Sequence, residues 1–156
     1  MAINRIRNDK VTPHPNPKAN KEKLKVILDS NALFVPLKFK IDIFEELKNL
    51  LKRNVEFVLL SPIKRELETL AMKGSPKKRK EAAYALKLAG KCKFVNSGEF
   101  GEESPDDAIV RVANEWKSPV FTNDKLLRKR LRDINVPVIY VRQKSRLEIE
   151  GGGSLV

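Results

Sequence analysis

Short apolar runs alternate with amphipathic segments along most of the chain, and that alternation restricts the folds open to it. Leu24–Asp29, Glu56–Leu60, Cys92–Val95, Val120–Thr122 and Val138–Val141 each read as a buried strand. The segments between them carry helical signals. In Ile41–Arg53, Ile43, Phe44, Leu47, Leu50 and Leu51 recur at helical spacing, and Asp42 and Glu45 suit the helix start. Ser61-Pro62 and Ser104-Pro105 each pair a capping Ser with a Pro at the first helical position. Gly74-Ser75-Pro76 ends one helix and opens the next, which Gly90 is placed to stop. Lys125–Asp133 reads as a basic helix. After Asp29, Ser30 or Asn31 is placed to cap a short helical turn through Phe34, with Pro36 interrupting. Strands alternating with helices predict an α/β domain: three layers, α/β/α, around a mainly parallel central sheet of about five strands.

With 156 residues the chain suits a single core. Residues 1–23 are basic, carry Pro13, Pro15 and Pro17, and read as a flexible arm. Residues 24–142 form the expected domain. Residues 143–156, with Gly151-Gly152-Gly153, read as a flexible tail. The 32 Lys and Arg against 20 Asp and Glu leave a net charge of +12, which points to a polyanionic partner, nucleic acid first. One cysteine, Cys92, excludes an internal disulfide, and with one histidine, His14, it excludes a Cys/His zinc site. The sequence shows no bilayer-spanning run and no opening signal pattern, so the expected location is cytoplasmic, with no membrane partner.

Carboxylates recur at corresponding points of this pattern. Asp29 closes the first strand. Glu66 lies in the helix after the second, Asp106 and Asp107 open the helix after the third, and Asp124 follows the fourth. In a parallel sheet the strand C-termini and the following helix N-termini share one rim, so these acids can meet there. Gathered carboxylates repel one another and favour protonation unless a cation joins them. Oxygen donors of this kind suit Mg²⁺ or Mn²⁺, which can activate water and neutralise phosphoryl charge. Taken singly, Asp29, Asp106, Asp107 and Asp124 read more readily as helix caps or dipole partners than as catalytic groups, and Glu66 as a surface partner of Lys64 or Lys73; the joint pattern shifts the balance. One histidine excludes a Ser-His-Asp set, and there is no Gly-x-x-x-x-Gly-Lys-Ser/Thr loop.

Leu28-Asp29-Ser30-Asn31, Ser61-Pro62-x-x-x-Glu66-Leu67, Asp106-Asp107-Ala108-Ile109 and Thr122-Asn123-Asp124 resemble the acidic motifs of PIN-domain nucleases, over about residues 24 to 142. Thr122-Asn123-Asp124-Lys125-x-Leu127-Arg128-x-Arg130-Leu131 is most similar to archaeal relatives of the small-subunit rRNA-processing branch, with VapC-type toxins as the near alternative. The resemblance implies a Mg²⁺- or Mn²⁺-dependent endoribonuclease acting on single-stranded or structured rRNA. It implies catalytic metal-ligand roles for Asp29, Glu66, Asp107 and Asp124, with Asp106 as an additional ligand. Asp107 is preferred because Asp107-Ala108-Ile109 leads into Ala113 with the family's spacing. Asn31, Thr122 and Asn123 are implied to hold water, phosphate or a carboxylate. Ribosome-assembly factors, an antitoxin or a second copy of the chain are the implied protein partners.

Two basic clusters are candidate RNA contacts: Lys77, Lys78, Arg79 and Lys80, and Arg128, Lys129, Arg130 and Arg132. Phosphate contacts of this kind give salt-sensitive affinity with little sequence selection. A solvated helix face reads the same way. Phe39 and Trp116 are expected in the core. A non-catalytic RNA-binding assembly module is the alternative to the enzyme.

Overall fold

The computed structural model describes residues 23–98 and 103–151. Apart from Lys23, the expected N-terminal arm lies outside the described residues. The elements are β1 (Leu24–Leu28), α1 (Ser30–Phe39), α2 (Ile43–Leu51), β2 (Val55–Leu60), α3 (Ser61–Lys73), α4 (Pro76–Leu88), β3 (Lys93–Val95), α5 (Pro105–Trp116), β4 (Val120–Phe121), α6 (Lys125–Asp133), β5 (Val138–Arg142) and β6 (Arg146–Glu150). A turn of 3₁₀ helix at Ala89–Lys91 joins α4 to β3.

The described strands form one sheet in the order β3-β2-β1-β4-β5-β6. Every pairing is parallel except β5 with β6. The connections from β1 run outward to β2 and β3. Those from β4 run the other way. Right-handed crossovers in opposite directions put helices on opposite faces. The strands agree: Val26, Ile27 and Leu28 of β1 and Phe57–Leu60 of β2 are buried in unbroken runs, as strands covered on both faces must be. The mainly parallel α/β sheet is therefore as expected. Among the described residues no helix is long and apolar enough to cross a membrane.

Helix α2 shows how local chemistry sets an element. Asp42 caps it by accepting from the Glu45 amide at 3.2 Å. Its buried face carries Ile43, Phe44, Leu47 and Leu51. Phe44 meets Phe57 of β2 edge-on, with 4.8 Å between ring centroids.

Helix α1 departs from expectation. Asp29, not Ser30 or Asn31, is its N-cap, and it continues through Pro36 to Phe39. An interior proline costs about 3 kcal/mol. Leu33 and Val35 are fully buried around that turn, each contributing about 1.5–3 kcal/mol. Packing therefore outweighs the break that Pro36 signals.

The C-terminal segment is a second departure. Of the expected flexible tail, residues 146–150 form β6, so the sheet has six strands among the described residues, not about five. Leu147 is buried, β6 rests against α2, and Arg128 of α6 bonds Glu150 at 3.1 and 3.3 Å. Leu147→Ala is expected to cost about 2–4 kcal/mol in urea unfolding. A loss below about 0.5 kcal/mol, the surface-substitution range, would mean the strand is not part of the folded unit.

Candidate active site

β1 and β4 are neighbours although their connections leave in opposite directions. That switch point is where open α/β sheets bind ligands. Their register pairs Leu28 with Phe121, so Asp29 and Thr122 emerge side by side at the C-terminal rim. The Asp29 amide donates to the Phe121 carbonyl at 3.0 Å.

A polar network locks these residues. The Thr122 hydroxyl donates to Asp29 Oδ2 at 2.7 Å, and Asn31 Nδ2 donates to the same oxygen at 3.0 Å. The Ser30 amide donates to Asp29 Oδ1 at 2.8 Å. Thr122 Oγ1 accepts the Asp124 amide at 3.1 Å. Asn31 Oδ1 accepts the Asn123 amide at 3.0 Å, and Asn123 Oδ1 accepts the Val141 amide at 2.8 Å, tying the rim to β5. Asn31, Thr122 and Asn123 thus hold the two acidic turns in place. Asp124 Oδ1 caps α6 through the Leu126 and Leu127 amides at 2.8 and 3.0 Å. Capping and site formation are therefore not alternatives for Asp29 and Asp124, since each does the first while standing at the rim.

The carboxylates feel one another. Burial pushes Asp29 up to about 6; the Thr122 and Ser30 hydrogen bonds restrain the rise, and the charges of Asp106 and Glu66 add to it. Asp106 is also raised, first by burial and then by Asp124, with Arg130 pulling the other way. Asp29, Glu66, Asp106 and Asp124 therefore form one electrostatic group. Asp107 touches this group through Asp106 alone, whose rise it also adds to. It is exposed, bonds Arg130 at 2.9 Å, and is held below the usual carboxylate range chiefly by that bond.

Of the two acids that open α5, Asp106 is the partly buried one and the one coupled to Asp29 and Asp124, while Asp107 is exposed. Helix periodicity explains why. The buried stripe of α5 is Ala108, Ile109, Val112 and Ala113. Asp106 stands three residues before Ile109 and seven before Ala113, which puts it on that stripe. Asp107 is rotated about 100° away.

The basic residues divide. In α6, Arg128 bonds Glu150 and stacks on Tyr140, its guanidinium carbon 3.9 Å from the ring centroid. Lys129 pairs with Asp133 at 3.1 Å, Arg130 with Asp107, and Arg132 with Glu150 at 3.9 Å. This cluster is largely matched within the protein. In α4, Lys78 approaches Glu81 at 3.9 Å, while Lys77, Arg79 and Lys80 are exposed without an ion pair among the described residues. The thirteen residues of α3 set them about 20 Å from Ser61, away from the rim.

Arg111, for which the sequence offers no signal, grips both Glu103 carboxylate oxygens at 2.8 and 3.0 Å and the Ser97 carbonyl at 2.8 Å. It ties Ser97, just past β3, to Glu103, just before the α5 cap. A lone arginine at one position of an apolar helix gives no pattern to find it by.

Among the described residues no three His, Cys, Asp or Glu side chains form a ready-made metal cage. The donors at the rim are oxygens only, and two are buried or partly buried carboxylates repelled by their neighbours. That fits a hard cation that keeps waters and takes oxygens from its substrate.

Residues 26–144 match the family described as PIN like domain. The chain belongs to this family. It is 38% identical over 128 residues to Ribonuclease VapC4 of Methanocaldococcus jannaschii, spanning 81% of this chain and 97% of that protein. It is 28% identical over 124 residues to Ribonuclease VapC9 of Archaeoglobus fulgidus, spanning 80% and 87%. The solved PIN domain endonuclease Utp24 superposes with a TM-score of 0.69 at 28% identity, covering 81% of this chain and 91% of that one. VapBC2 from Rickettsia felis shares the fold, with a TM-score of 0.52 at 17% identity, covering 69% of this chain and 92% of that one.

Within this PIN domain Thr122 is the keystone of the rim, fully buried and bonded to both acidic turns. Thr122→Val leaves the Asp29 carboxylate and the Asp124 amide each short of a partner. We expect a loss of about 1–3 kcal/mol in thermal or urea unfolding. Asp29 should then titrate higher still, since the Thr122 bond holds it down. Unchanged stability and titration would show that the network is incidental.

Proposed function

We propose that the protein is a metal-dependent endoribonuclease that acts in the cytoplasm on ribosomal RNA precursors. The coupling of Asp29 to Glu66 and Asp106, and of Asp106 to Asp124, beside the sheet's switch point carries this reading. The similarity to proteins named ribonucleases and to the endonuclease Utp24 supports it. When bound, Mg²⁺ or Mn²⁺ would supply a polarised water and screen the charge on the phosphoryl group. The four carboxylates would hold that cation. Thr122 and Asn31 fix the orientation of Asp29, while Asn123 anchors the Asp124 turn to β5. Arg130, parked on Asp107 beside Asp106, places positive charge where an RNA phosphate would approach. The cations of Lys77, Arg79 and Lys80 sit in the first turns of α4, where the helix dipole disfavours them. An RNA contact accounts for that placement.

The test is cleavage of a labelled rRNA fragment with Mn²⁺, with Mg²⁺ and with chelator, for wild type and Asp124→Asn. Metal-dependent cleavage lost in the variant is the expected result. Absence of cleavage with every metal, or cleavage that survives in Asp124→Asn, would sink the assignment. The 38% identity to Ribonuclease VapC4 favours a second reading, a toxin restrained by an antitoxin. Growth arrest on expression, relieved by a small protein encoded alongside, would select it.

A further inference from the structure

At the rim opposite the carboxylates, where β1 begins and α5 ends, lies a cavity of about 350 Å³ lined by Lys23, Lys25, Arg53, Trp116 and Lys117. Its charged lining is wholly cationic. The Lys25 ammonium stands 4.7 Å from the Trp116 ring centroid, and Lys117 donates to Asn114 at 3.3 Å. Arg53 and Lys117 follow the C-termini of α2 and α5, where the helix dipole favours cations. That explanation does not extend to Lys23 and Lys25. They sit at the start of a strand, exposed, and form no ion pair among the described residues, although Glu56 is the strand neighbour of Lys25. Lysines around an indole form the combination that holds single-stranded nucleic acid: cations track phosphates and an aromatic side chain meets a base.

We infer that Lys23, Lys25, Lys117 and Trp116 form an anchoring site for single-stranded RNA, separate from the carboxylate rim. The inference rests on the nuclease reading for the identity of the polyanion. The five residues of β1 put the two sites about 17 Å apart. A long substrate can therefore be held at one while another part of it reaches the other. A short oligonucleotide cannot bridge them.

Trp116 is the chain's one tryptophan, so its emission reports from the site itself. The full-length protein would be titrated with poly(U) in chelator, beside Lys25→Gln/Lys117→Gln. Both substituted residues are exposed and remote from the acids. The expected results are a change in Trp116 emission on binding and, in the variant, a flatter plot of log affinity against log salt. The slope should fall by about 1.4, roughly 0.7 for each phosphate contact on a single strand. Metal-dependent cleavage of a short oligonucleotide should be unchanged. Poly(U) binding with silent Trp116 and an unaltered slope overturns the anchor. If poly(U) engages Trp116 but no RNA is ever cut, the nuclease reading falls and the anchor stands. If poly(U) does not bind, the anchor falls whatever the cleavage result.

Discussion

Asp106→Asn is expected to lower RNA cleavage by at least about a hundredfold, while Asp107→Asn stays within about fivefold of the parent. The two acids are adjacent, equally acidic in sequence, and share the first turn of α5. Only Asp106 lies on the stripe that faces the core, where it feels Asp124 and raises Asp29 in turn. Asp107 faces solvent and is spent on Arg130. Its removal frees Arg130, so Asp107→Asn should alter the salt dependence of cleavage more than its maximum rate. Measured kcat and KM for both variants decide the matter. A dead Asp107→Asn beside an active Asp106→Asn would show that α5 rotates when substrate binds, and would reverse the assignment of the two acids.

Asp29→Asn should abolish activity yet make the metal-free protein more stable at neutral pH. The carboxyl ionises near 3.8 in the unfolded chain and near 6 in the fold. The folded protein thus binds this proton more tightly than the unfolded chain does. Below pH 3.8 the buried group is neutral in both states and costs nothing. As pH rises from 3.8 to 6 the cost grows, and above 6 it levels off at about 3 kcal/mol. Asn carries no charge at any pH, though it loses at least one hydrogen bond of the network, worth about 1 kcal/mol. The net gain of about 2 kcal/mol corresponds to a Tm about 4–8 °C higher at pH ~8. The gap should close by pH ~4. Excess Mn²⁺ should raise the Tm of the parent and leave the variant where it was. A variant less stable than the parent at mildly alkaline pH, by a margin independent of pH, would show that the Asp29 charge is compensated within the protein. For the parent, proton and cation compete for Asp29, so the Mn²⁺ concentration needed for half-maximal cleavage should rise as pH falls below about 6.

Much of the architecture was legible because local and global signals agree. Ser61-Pro62 and Ser104-Pro105 open α3 and α5 as their chemistry dictates, and the apolar runs ending at Leu28, Leu60 and Phe121 are the central strands. What escaped did so for identifiable reasons. The β5–β6 hairpin turns on Gln143 and Lys144, both at positive φ, where Asn-Gly would announce the turn. With Glu150 unplaced, the roles of Arg128 and Arg132 had no visible partner. Motif spacing followed forward to Ala113 selects Asp107 over Asp106. Counting back along the buried stripe from Ile109 reverses the choice. Pro36 is a strong local signal that long-range packing overrides.

The bond between Thr122 and Asp29 joins residues 93 positions apart, because β4 inserts beside the first strand of the sheet. Such pairing is slow, since the chain must close a long loop before the contact rewards it. During synthesis the rim cannot be completed until β4 and the residues just past it have been made. Throughout that interval Asp29 lacks the hydroxyl that orients it, and Asp124 does not yet exist. On the nuclease reading proposed above, the chain is thus unable to cut RNA while it is still nascent on an RNA-built machine.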